Sequence, residues 1–167
     1  MAYDRTNVTA AAVLAAVVAE FALAAVDLPD RRYYTSGNVY YDAEQLSVTF
    51  VRSVNANEVD GKGTASQHND VLRSLVWRVG EFEIMLLRCA PQIEVLMNGE
   101  VRAPKVSVQE SYGVAAMADS EIIQAGLRRA ARAGSFGEGP ILVIGDYSMV
   151  GEGDLGGGAL RCFVSLV

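Results

Sequence analysis

Between Thr9 and Val26 the chain reads TAAAVLAAVVAEFALAAV, with Glu20 as its only charged group. A run this apolar either crosses a bilayer or packs inside a fold. A membrane helix takes about 20 predominantly apolar residues, and a secretory leader opens with net positive charge. Here Glu20 interrupts the run, and Asp4 and Arg5 cancel ahead of it. The expectation is a helix packed on a sheet, with no membrane span and no export. Leu14, Val17, Val18, Phe21 and Val26 recur at nearly helical spacing, and the alanines between them favour helix. Thr6 or Asn7 can cap the start, and Pro29 excludes the residue before it from helical geometry, which predicts a helix over about Thr6–Val26.

The rest of the chain supplies strands for that helix to lie on. From Gln45 to Val54 the residues alternate, with Leu46, Val48 and Phe50 on one side and Gln45, Ser47 and Thr49 on the other, as in a strand with one buried face. Arg31–Thr35 and Val39–Tyr41 are short β-prone runs around Ser36, Gly37 and Asn38, a tight connection between extended segments. Their tyrosines read as amphipathic rings on a half-exposed sheet. Leu75, Trp77 and Val79 share one parity, and Phe82, Ile84 and Leu86 the other. The inward face therefore changes near Gly80, through a β-bulge there or through a bend dividing two strands. Ile141–Ile144, Tyr147–Val150 and Ala159–Leu166 are the remaining strand-like runs.

A second helix over Ser107–Ala133 places Tyr112, Ala116, Ile123, Leu127 and Ala130 on one stripe. It gathers Arg128, Arg129 and Arg132 in its last turns and closes at Gly134. Helix, strands, helix, strands in that order predicts an α+β fold, an antiparallel or mixed β-sheet with one face packed against two main α-helices.

With 167 residues, 51% of them hydrophobic and 20% charged, the chain is sized for one core, and a single domain over 1–167 is expected. Three polar segments punctuate it. Asn55–Asp70 reads as a long mobile loop; Pro91–Pro104 holds an Asn98-Gly99 turn with room for a small hairpin; Gly151–Gly158 reads as a flexible hairpin tip. Binding tends to reside on mobile segments carried by a rigid sheet. The candidate contact residues are therefore Asn57, Glu58, Asp60, Lys62, His68, Asp70, Asn98, Glu100, Arg102, Glu152, Asp154 and Leu155.

Little in the chain points to chemistry. A net charge of −6 opposes a grip on nucleic acid, so DNA near this protein would pass in transit rather than be held. Gly151, Gly153 and Gly156 fit a GxGxxG string, but a dinucleotide site needs that string between a strand and a helix, and here a strand follows. His68 is the only histidine and has no nucleophile or orienting group beside it in sequence. Cys89 and Cys162 read as two reduced thiols in apolar strands, too few for a zinc site. Glu81 and Glu83 point outward by parity as ordinary surface charge. No catalytic residue, cofactor or metal is expected, and no enzyme activity.

The order of segments carries more than any one residue. Leu28-Pro-Asp-Arg-Arg-Tyr-Tyr, then Asp42-Ala-Glu-Gln-Leu-Ser-Val-Thr-Phe-Val-Arg, then Phe82-Glu-Ile-Met-Leu-Leu-Arg-Cys-Ala-Pro91, with Ile144-Gly-Asp-Tyr and a Gly-rich hairpin before the last strand, resemble the tail terminator proteins of long-tailed actinobacterial phages. The likeness spans nearly the whole chain. Such proteins commonly carry a Cys just before Glu-Gln-Leu, where this chain has Ala43.

The resemblance implies an α/β subunit similar to the lambda tail terminator, which forms a hexameric ring on the last ring of major tail tube protein, stops tube growth and meets the neck proteins of the filled head. It would place the chain in the virion at the tail–neck junction, assembled in the host cytoplasm, with no catalytic residues. Two other readings stand beside it: a neck or head-completion connector, and a small cytosolic α+β enzyme or ligand-binding domain with a pocket between sheet and helices.

Overall fold

The computed structural model describes residues 2–40, 42–55, 78–137, 142–152 and 154–166. The apolar run forms α1 (Ala2–Leu23). It begins ahead of Thr6 and Asn7, which therefore lie inside the helix instead of capping it. It also stops before Val26, and Pro29 is not the cause. Ala25 takes a left-handed conformation at φ 53°, Ala25 N–H donates to Ala22 C=O at 3.3 Å, and Val26 N–H donates to Phe21 C=O at 3.1 Å. These paired bonds end a helix by reversing the backbone over its last carbonyls.

The strands follow as β1 (Arg31–Thr35), β2 (Gln45–Asn55), β3 (Arg78–Cys89), β4 (Glu94–Val95) and β5 (Val101–Arg102). Then come α2 (Val106–Arg132), β6 (Leu142–Glu152) and β7 (Leu155–Ser165). Five strands make one sheet in the order β1-β2-β3-β7-β6, parallel between β1 and β2 and antiparallel elsewhere. The small hairpin for which the Asn98-Gly99 turn left room is present as β4–β5, with Gly99 at φ 80°.

The fold is α+β, a mixed sheet against two helices. Val13, Val17 and Phe21 of α1 and Ile123 and Leu127 of α2 close over Leu46, Val48, Phe82, Ile84, Leu160 and Cys162 in one core. α2 matches its expected stripe and ends as expected at Gly134, φ 72°.

Several local expectations are corrected. Val39 and Tyr40 are not in a strand, and Tyr40 C=O instead accepts a bond from Gln45 Nε2 at 3.0 Å. β3 runs unbroken through Gly80, so neither a bulge nor a bend sits there. The irregularity lies across from it on β2, between Phe50 and Arg52. The parity change along β3 arises because both faces of the sheet bury side chains: Val79 joins Val54 and Phe163 on the helix-free face, and Met85 and Leu87 join Ala159 there. For the same reason Gln45 and Ser47, expected on a polar outer face, are fully buried.

Glu81 is no ordinary surface charge either. It is 2% exposed and held between Arg52 at 2.7 Å and Arg161 at 3.3 Å, while Arg161 also reaches Glu83 at 3.2 Å. The runs expected as two strands, Ile141–Ile144 and Tyr147–Val150, are one strand, β6, with a register shift between Ile144 and Tyr147. Tyr41, Leu75, Trp77 and Ile141 lie outside the described residues.

The glycine string is the largest correction. Gly156, Gly157 and Gly158 are not a flexible tip; they are buried within β7, paired to β3 on one side and β6 on the other. A Cβ at Gly158 would collide with the Tyr147 ring, and one at Gly156 with the Tyr112 hydroxyl. Glycine inside a strand marks such a close approach, and here it lets two aromatic rings lie between β7 and α2.

Candidate interaction surface

The described candidate residues gather at one end of the sheet. β3 ends there at Cys89, paired with Leu155, and β6 ends at Glu152, which pairs with the first residue of β7, Leu155. Asp154 is exposed, and its carbonyl accepts Ala90 N–H at 2.8 Å, tying this end of the sheet to the segment that leads into the β4–β5 hairpin. Asn98, Glu100 and Arg102 are exposed on the hairpin. Asn98 Oδ1 accepts Glu100 N–H at 3.0 Å, a side-chain turn that pre-forms the tip.

Leu155 departs from the expectation. It is 7% exposed and belongs to the sheet, not to an exposed loop. Glu152 ends β6, paired opposite Leu155. Asn57, Glu58, Asp60, Lys62, His68 and Asp70 lie outside the described residues.

Several polar groups at this end are held within the fold, while the buried Tyr112 hydroxyl beside Gly156 has no hydrogen-bond partner among the described residues. Glu44 Oε1 accepts Cys89 N–H at 2.6 Å, and that bond holds the Glu44 carboxyl below its ordinary range. The same carboxylate, as hydrogen-bond acceptor and negative neighbour, pushes the exposed Cys89 thiol up, so it is a poor nucleophile. Cys162 is buried, and burial pushes its thiol up to about 12. Arg88 and Asp119 form a two-bond ion pair at 2.8 and 3.1 Å between β3 and α2. Beside them Tyr147 donates to Ala116 C=O at 3.1 Å, and burial and then Asp119 raise its phenol to about 12.

An open cleft of about 390 Å³ runs between the hairpin and the start of α2, lined by Pro91, Gln92, Glu94, Arg102, Ala103, Pro104, Lys105 and Val108. Its charged groups, Glu94, Arg102 and Lys105, offer opposite charges around prolines and short apolar chains. Among the described residues no three His, Cys, Asp or Glu side chains gather as a metal site requires.

What sequence reasoning missed here is apolar. Ile93, Val95, Met97 and Val101 on or beside the hairpin are 61%, 72%, 110% and 63% exposed. Val106, Val114 and Met117 stand out from the first half of α2 in the same way. Reading Pro91–Pro104 as a polar connection hid them, although the string Ile93-Glu-Val-Leu-Met was legible as a short apolar run. Compared with family models and with curated proteins, the chain has no match.

Proposed function

We propose that the chain is a structural subunit of a tailed phage, a tail terminator that closes as a ring on the last ring of tail-tube protein. In that role it ends tube growth and offers its other face to the neck proteins of the filled head, with DNA passing through the ring. The reading starts from the ordered segments that resemble this family.

The observation that supports it structurally is the hairpin end of the sheet, where the large apolar side chains of Ile93, Val95, Met97 and Val101 stand in water. Monomeric soluble proteins rarely expose a contiguous apolar patch of this kind unless another protein covers it. A terminating ring also needs two unlike faces, since a second tube ring must not add to the side away from the tube. The described surface has unlike ends. Around the hairpin the exposed charges are mixed, Glu44, Glu94, Glu100 and Asp154 with Arg102 and Lys105, while Arg78 at the other end of β3 and Arg128 and Arg132 in the last turns of α2 are exposed basic groups.

Deleting the gene from its phage tests the reading. Electron micrographs are expected to show tails of uncontrolled length and full heads without tails. Tails of normal length overturn it, and leaking heads beside normal tails point to a neck connector.

A further inference from the structure

After its first turns α1 is apolar on nearly every side. Over Arg5–Leu23 it has a mean hydropathy of 1.7, by length and composition enough to cross a membrane, yet only 28% of that stretch is buried in the fold. Within the apolar stretch after Arg5 the one acidic side chain, Glu20, is turned inward onto Arg129 of α2 at 2.7 and 3.0 Å. Facing water are Arg5 and Asn7 in the first turns and then Val8, Ala15, Ala19, Ala22 and Leu23, a stripe that is apolar from Val8 onward. A helix without a polar face is ordinarily buried all round.

The β4–β5 hairpin is the opposite shape. It has two residues per strand, and among the described residues it packs substantially on no other helix or strand. An isolated two-stranded hairpin is marginal in water. This one holds four large apolar side chains away from the body of the protein.

We propose that the chain binds a second copy of itself head to tail, the β4–β5 hairpin of one copy lying across the outer face of α1 of the next. Three features favour a second copy over a foreign protein. The two surfaces sit on different parts of one chain, so a single repeated contact covers both, whereas a foreign partner would cover one. They match in shape, large side chains on a projecting hairpin against a smooth face of alanines. Their borders match in charge: the hairpin carries Glu94 and Glu100 against one Arg102, and beside Arg129, which Glu20 neutralises, Arg128 and Arg132 stand exposed in the same turns of α2. Two different patches meeting in this way give a ring if the rotation closes. The inference rests on the self-assembly part of the tail-terminator reading and is independent of the tail.

Light scattering on the purified full chain tests it with two variants at exposed positions, Ala19→Glu on α1 and Val95→Glu/Met97→Glu on the hairpin. The unmodified chain is expected to associate, and each variant alone to associate about tenfold more weakly or less. Mixed, the two variants are expected to form a one-to-one dimer, because the intact hairpin of the first meets the intact α1 of the second. Thermal unfolding checks that both are folded, and Leu23→Glu replaces Ala19→Glu if that variant is not. The proposal is overturned if the hairpin variant assembles normally, which indicates α1 against α1, or if the mixture stays monomeric. An unmodified chain that remains monomeric, or that binds phosphatidylcholine vesicles in place of itself, also overturns it, and the deletion phenotype still decides the tail-terminator reading separately.

Discussion

α1 and α2 lie on the same face of the same sheet and are attached to the protein by opposite means. α2 buries Ala116, Ile123 and Leu127 and is pinned by polar ties, Arg88 to Asp119 and Tyr147 to Ala116 C=O. Its second half meets water with Glu121, Arg128 and Arg132. α1 is attached by apolar burial, with Val13, Val17 and Phe21 wholly inside, and its polar tie, Glu20 to Arg129, runs to the other helix rather than to the sheet. The second half of α2 is finished by its own chain, whereas its first half leaves Val106, Val114 and Met117 exposed. α1 shows water the residues expected of an interior, and the difference locates the surface that assembly has to cover.

Removing the apolar anchor of α1 is the largest test of that contrast. Phe21 is fully buried, so Phe21→Ala is expected to cost about 4 kcal/mol in urea unfolding. A cost below about 1 kcal/mol would mean that α1 is not part of the core, and the comparison would fail. For α2 the matching change is Asp119→Ala, which leaves the Arg88 guanidinium three-quarters buried without its carboxylate; about 3 kcal/mol is expected. Glu20→Ala should cost less than Asp119→Ala, since Arg129 stays 66% exposed and can return to water.

Tyr147→Phe removes one buried hydrogen bond to α2 and is expected to cost about 1 kcal/mol. It carries a pH signature as well. The folded phenol titrates near 12 against 10 for a free tyrosine, so its contribution is complete below pH 10 and lost as pH rises toward 12. The variant should therefore lose less stability than the unmodified chain across that window. An identical alkaline slope would show that Tyr147 does not hold α2 in the way described.

How much of this was legible in the sequence depended on whether a residue's partner was near it in the chain. The α2 stripe was readable because polar residues outline it, and the Gly134 stop because a left-handed turn favours glycine. In α1 the helix was readable but its ends were not, since alanines on every side give no edge to find. Alternation along β2 and β3 fixed which residues share a face, but not that the helix-free face would also bury Gln45, Ser47 and Glu81. Gly156 and Gly158 looked like a loose tip because the rings that require them, Tyr112 and Tyr147, come from distant segments. Of the candidate contact residues, Asn98, Glu100, Arg102 and Asp154 are exposed, as turn chemistry suggested. Leu155 was misplaced with the glycines, and the exposed valines and methionines around the hairpin carried no polar signal by which to find them.

The smallest expected effect is also the cleanest comparison of the two helices, because both end in the same paired-bond reversal. In α2 the left-handed residue is Gly134, with Ser135 N–H donating to Ala130 C=O at 2.9 Å and Gly134 N–H to Ala131 C=O at 3.1 Å. In α1 the same place is held by Ala25, which has a Cβ where the geometry disfavours one. Nothing lies within 4 Å of a Cβ built on Gly134, and Ala25 is exposed, so substitutions at either site act on the backbone alone. Ala25→Gly is expected to raise stability by about 0.5 to 1 kcal/mol and Gly134→Ala to lower it by about 1 kcal/mol, both read as shifts in urea midpoint at unchanged slope. If Ala25→Gly destabilises instead, the α1 terminus is held by something other than its own reversal. The outer face ending at Leu23 would then already have a partner within the chain.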